Sequence, residues 1–163
     1  MARYIGKEIT DWVEATAEDW MGLTINRDKT TIVNLREPKA ILHFLGYSYR
    51  YDKDLRGRNT RYLNLFPSKE ACARRREKVR QQVHPKTSHV PIPELIDRLN
   101  QQLNGWAGYF SKGYPRKSYR DMNRLVQLRL IKHLKRRSQR PYRPRKGETW
   151  YQHLYVNLGL VQL

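Results

Sequence analysis

The segment from Ser118 to Arg140, SYRDMNRLVQLRLIKHLKRRSQR, decides how the rest of the chain is read. Tyr119, Met122, Val126, Leu130 and Leu134 recur at steps of three and four, the spacing of one face of an α-helix. Arg120, Arg124 and Lys135 fall on roughly the opposite side. Ser118 followed by Asp121 predicts a capping box, with Asp in place of the usual Glu. Leu128 and Ile131 interrupt the polar side, which predicts packing against more than one neighbour. From Arg116 to Lys146 there are thirteen Lys or Arg and one acid, Asp121, a net charge of +12. The segment reads as a core helix that also presents a polyanion-binding surface.

Working outward, the remaining charge is unevenly spread. The whole chain carries +18 over 163 residues. Residues 1–66 contribute +2, residues 67–90 +5, residues 91–115 nothing and residues 147–163 −1. So localised an excess points to an anionic polymer, bound by phosphate neutralisation and counterion release, with nucleic acid ahead of an acidic protein or membrane surface. A hydrophobic content of 39% with eleven Tyr and four Trp argues against wholesale disorder. The single cysteine, Cys72, excludes a disulfide framework and any zinc site built on paired cysteines. No apolar run approaches the ~20 residues of a membrane span, and the N-terminus has no signal-peptide core. The expectation is a cytoplasmic protein with no membrane partner.

Upstream, Ile5, Ile9, Trp12, Val13, Ala17, Trp20 and Met21 lie at helical spacing opposite five acids, and Gly22 supplies a stop. TTIVNL (30–35) and HFLGYSYRY (43–51) read as strands, Asp52 to Thr60 as a turn, and RYLNLF (61–66) as a third strand in a hairpin with the second. Ser68 is placed to cap a helix through about Val83, with only Cys72, Val79 and Val83 as an apolar stripe. His84–Pro93 is a linker. Leu95, Ile96, Leu99, Leu103, Trp106 and Phe110 then mark a strongly amphipathic helix. KGYPRK (112–117) is a basic, aromatic loop, RPYRPRKG (140–147) is irregular because of its prolines and glycine, and Trp150 to Leu158 form a last short helix stopped by Gly159. The fold class is α+β: a small unit over 1–66, a basic helix and linker over 67–90, and a helical domain over 91–163.

Two stretches carry a resemblance. WMGLTINRDKTTIVNL with HFLGYSYRY resembles the end of the palm of group II intron-encoded reverse transcriptases, through Gly22, Leu23, Asn26, Lys29 and Thr30, then Phe44, Leu45, Gly46 and Tyr47. LNGWAGYFSKGYPRKSYRDMNRLVQLRLIKHLKRRSQR with TWYQHLYVNLGL is similar to the thumb and maturase-specific domain of the same family. The resemblance implies a palm remnant followed by a thumb and maturase bundle. It implies Lys29 as proton donor to the pyrophosphate leaving group, a role a lysine beside developing phosphate charge suits. On the residues alone, Lys29 is equally a solvated turn residue after Asp28. It also implies Phe44, Leu45, Gly46 and Tyr47 as a primer-grip hairpin, which the residues alone leave as an ordinary hydrophobic hairpin.

Under this reading RNA phosphates are met by Arg74, Arg75, Arg76, Lys78 and Arg80, by Lys112, Arg116 and Lys117, and by Arg120, Arg124, Lys132, Lys135, Arg136 and Arg137, with Tyr109 and Tyr114 as base-stacking candidates and Trp106 and Phe110 as core. His133 reads as a helix-surface or RNA-contacting residue. The family holds two metal ions with an aspartate and a Tyr-x-Asp-Asp turn. That turn would precede residue 5, and Tyr51-Asp52-Lys53-Asp54 reads instead as a hairpin turn. No metal or other cofactor is assigned to this chain, and Mg²⁺ would belong to the catalytic part. The expected partners are group II intron RNA and an RNA–DNA template–primer duplex. A second reading makes the chain the non-catalytic half of a split polymerase, working beside a chain that bears the Tyr-x-Asp-Asp turn. A DNA-binding regulator would need a helix-turn-helix that the proline positions do not offer.

Overall fold

The computed structural model describes residues 6–31, 33–54, 60–140 and 142–163. Ile5, Ile32, Gly57 and Asn59, named in the expectations above, lie outside them. The chain divides into two compact units, Met1–Asn34 and Leu35–Leu163.

In the first unit, α1 spans Gly6–Ala15 and runs on as a wider π-turn over Thr16–Trp20. Gly22 ends it at φ +63°, as expected of a helix stop. Arg27 reaches back to Glu14 at 3.3 Å and Glu18 at 3.8 Å. The helix buries none of its residues. The strand expected at 30–35 is absent among the described residues. The Asn26 carbonyl there accepts from the backbone N–H and the hydroxyl of Thr30, closing a turn, and among the described residues no strand pairs with it to supply the ladder that β-branched residues need.

The second unit opens with a three-stranded antiparallel sheet, β1 (Leu42–Phe44), β2 (Tyr47–Lys53) and β3 (Arg61–Pro67), in that spatial order. Residues 43–51, expected as one strand, are therefore two. Phe44 pairs with Tyr47, leaving a two-residue turn in which Leu45 (φ 47°) and Gly46 (φ 80°) both take the left-handed conformation of a type I′ turn. β2 continues through Lys53, so the Asp52–Thr60 turn is shorter than expected. Tyr51-Asp52-Lys53 is strand rather than turn, and Asp52 is held by Arg50 at 2.8 Å and by the Asn64 amide.

Alternation puts Tyr49 and Leu65 on the face that packs against the core, and Arg50 and Asn64 on the other. Ser68 caps α2 (Lys69–Gln82), its hydroxyl accepting from the Ala71 N–H at 3.1 Å. A 3₁₀ turn at Pro85–Thr87 leads to α3 (Ile92–Tyr109), and every residue of its expected apolar stripe, with Phe110 just beyond it, is buried.

The decisive helix, α4, spans Arg116–Arg136. Met122, Val126, Leu130 and Leu134 are buried and Tyr119 packs at the edge of the core, as their spacing required. The capping box is not made. Pro115, whose ring fixes φ near the helical value, starts the helix two residues ahead of Ser118. The C-terminus also falls short of Arg140, because Ser138 bonds locally to Arg140 and Pro141 follows in the sequence. Ile131 packs against the core while Leu128 stays exposed.

Thr149 and Gln152 form a reciprocal capping box on α5 (Trp150–Gln152), which widens into a π-turn over His153–Asn157 and stops at Gly159. The closing segment is pinned by two asparagines. Asn100 on α3 bonds the Gly159 carbonyl and the Val161 N–H, both at 2.8 Å, and Asn123 on α4 does the same for both backbone groups of Leu163. Among the described residues no helix is long and apolar enough to cross a membrane.

Candidate nucleic-acid interface

At 100° per residue, the buried row of α4 fixes where its cations point. Lys117, Arg120, Arg124 and Lys135 lie opposite the row and are exposed. Lys132 is likewise exposed and faces away from Leu130 and Leu134, with Arg136 exposed beside it. Together with Arg129 and His133, and with Val83, Pro85 and Ser88 in the turn that follows α2, they line a niche of about 80 Å³. Arg137 is half-buried, and its Nη1 is enclosed without a partner.

His133 is a correction to the sequence reading. It is 5% exposed, on the core side of the helix, and its Nε2 has no hydrogen-bond partner. Burial pushes its pKa down, the Arg137 charge pushes the same way, and the His84 backbone opposes them. The fold therefore prefers the neutral ring. Above about pH 6.5, the ordinary histidine value, folded and unfolded chains are both neutral at this site. Below it the unfolded chain takes a proton that the folded chain resists, so stability falls with falling pH until the buried ring titrates. Urea unfolding at pH 7.5 and 5.5 should show a larger acid loss for the wild type than for His133→Gln. An identical loss would show that His133 is not the group responsible.

The basic residues of α2 point several ways, as expected, and divide between two clefts. Arg74, Arg75 and Lys78 line one of about 300 Å³ with Leu45, Gly46 and Tyr109. Arg75 is tied to Gln102 Oε1 at 3.2 Å, and desolvation lowers its pKa. Arg76 faces a second cleft together with Lys117 and Tyr114. Arg80 is exposed and paired with Glu77 at 3.2 Å. Burial raises the pKa of Cys72, which favours the thiol over the nucleophilic thiolate.

Lys112 and Arg116 are exposed around Gly113, and Tyr114 is 58% exposed with its ring edge against Tyr62. Tyr109 is also largely exposed, while Trp106 and Phe110 are core, as the sequence divided them. The hairpin tip projects Phe44 (58% exposed) and Leu45 (67%), whereas Tyr47 is buried and donates to the Tyr109 carbonyl. Lys29 is exposed in its own unit, its N–H bonded to the Asn26 side chain at 3.1 Å. Among the described residues no group of three His, Cys, Asp or Glu is arranged to hold a metal ion.

Sequence reading missed Arg129, although it stands three residues from Lys132 on the same flank. It also missed Arg50 and Asn64, which strand alternation places side by side.

The comparisons with known proteins bear on the same helices. No curated protein matches the chain. The family model of the group II intron, maturase-specific domain, matches residues 72–151, from the first turn of α2 into α5, and so takes in α3, α4 and most of the cationic surface. Over residues 72–151, then, this chain is similar to the group II intron maturase-specific domain.

Proposed function

We propose that the chain is an RNA-binding maturase module of a group II intron reverse transcriptase, which grips structured intron RNA and favours its splicing-competent fold by binding that form best. One observation carries this reading: the row of cations on the outward face of α4 lies within the maturase-specific match. The row meets phosphates, and α2 adds Arg74 and Lys78 from its own exposed side. Its partner is intron RNA, with RNA–DNA template–primer duplex as a second polyanion of similar helical form. Within the whole enzyme, Mg²⁺ belongs to the catalytic part and not to these residues.

The test is a salt titration of RNA binding by the wild type and by Lys132→Glu/Arg136→Glu, a pair chosen because both side chains are exposed and Arg137 is not. Each phosphate contact removed should flatten the log–log salt slope by about 0.9. The double variant should therefore bind more weakly, with a visibly shallower slope. Unchanged affinity and slope would remove α4 from the interface.

The exposed Phe44–Leu45 tip favours a second reading, in which the hairpin serves as a primer grip beside a separate chain carrying the Tyr-x-Asp-Asp turn. Restoration of cDNA synthesis on mixing with such a chain would support it.

A further inference from the structure

The polar face of the sheet has a feature that the α4 surface does not account for. Residues from β2, β3, α2 and α4 enclose a cleft of about 320 Å³ on that side, a size that suits one nucleotide better than a duplex. One wall is cationic: Lys69, Arg76 and Lys117 line it. The first residues of α4 also line it, and no side chain caps that N-terminus, so amide donors and the positive end of the helix dipole face an incoming anion.

The other wall suits a base. Phe66 lies there with the Arg50 guanidinium 4.9 Å over its ring. Tyr114 also lines the cleft, anchored by its N–H to the Leu65 carbonyl at 2.8 Å and by its edge contact with Tyr62. Asn64 donates its amide to Asp52, which leaves Asn64 Oδ1 as an enclosed acceptor with no partner. Asp121 is the one carboxylate in the cleft. It disfavours a bare phosphate and suits a ligand that also brings hydroxyls, as a ribose does.

We infer that this cleft takes one unpaired nucleotide of the bound RNA, an inference that rests on the RNA-binding reading above. Its base lies against Phe66 and Tyr114 beside Asn64, and its phosphate meets Lys69, Arg76 and Lys117. The surface of α4 then supplies sequence-independent grip, and this cleft senses that a base has left the helical stack.

Two hairpin RNAs test it with the full chain: one fully paired, one carrying a single bulged 2-aminopurine. The wild type should bind the bulged hairpin about tenfold more tightly, as one stacked base allows, and quench its fluorescence. Tyr114→Ala, at an exposed side chain, and Asn64→Leu should each reduce that preference while keeping the far-UV circular dichroism and the salt slope of the wild type. Equal binding of both hairpins by the wild type would overturn the inference and leave the RNA-binding reading standing. Failure to bind either hairpin would overturn both. A preference that survives in both folded variants, or that is abolished by free AMP at low concentration, would also overturn it, the first by moving the site and the second by assigning the cleft to a free nucleotide.

Discussion

Leu130→Ala is expected to lower the unfolding free energy by about 2–5 kcal/mol, the range for a buried leucine truncated where its surroundings collapse only in part. Leu130 is 0% exposed and sits mid-row on α4, between Val126 and Leu134, which are themselves almost wholly buried. Domains of this size are stable by only about 5–15 kcal/mol, so the change should move the urea midpoint by a large fraction while leaving the m-value unchanged. RNA binding should follow stability here, because the same helix that carries the outward cations is seated by this row. A loss below about 1 kcal/mol, the level of a surface change, would mean that α4 is not packed as described.

Gly113→Ala should cost about 3 kcal/mol or more, from strain and steric conflict together. Gly113 has φ +82°, and a Cβ built on it would lie 3.0 Å from the carbonyl carbon of Leu65 and nearer still to the oxygen. That oxygen accepts the Tyr114 N–H at 2.8 Å, so β3 cannot retreat without breaking the bond that sets the start of α4. The loop would have to swing outward, carrying Lys112, Tyr114 and Arg116 with it. Thermal unfolding measures the cost, and RNA affinity measures the displacement. An alanine variant of wild-type stability would show that the loop and β3 are not in contact.

The helices were legible because their signals are local. The i, i+3, i+4 rows of α3 and α4, the Ser68 cap and the Gly22 and Gly159 stops each depend on a few neighbouring residues, and all of them form. The sheet was harder. A turn with Leu at its first left-handed position carries little of the Asn-Gly signal that marks a two-residue hairpin, so β1 and β2 merged into one strand. A β-branched run at 30–35 predicted a strand with no partner to pair with.

The cationic residues of the candidate interface were visible from charge alone, but which of them are free was not. Arg75 is engaged by Gln102 and Arg80 by Glu77, and Arg137 is drawn inward. Such pairings are set by packing between helices and leave no mark on local spacing. The same holds for His133, where one residue on a helix already read as basic proved to lie on its buried side.

The two tyrosines that join the hairpin to the end of α3 have a consequence for how quickly the molecule assembles. Tyr47 donates to the carbonyl of Tyr109, and Tyr109 donates to the carbonyl of Leu45, closing separations of 62 and 64 residues. Helical contacts form early because they are near in sequence, whereas ties of this span slow the search. The strands must therefore wait for α3 before they have a surface to dock on, and during that interval their edges are open to pairing with another chain. A stopped-flow experiment should show a fast helical phase followed by a slower one that reports tyrosine burial. Tyr109→Phe, which deletes one tie, should act mainly on the second.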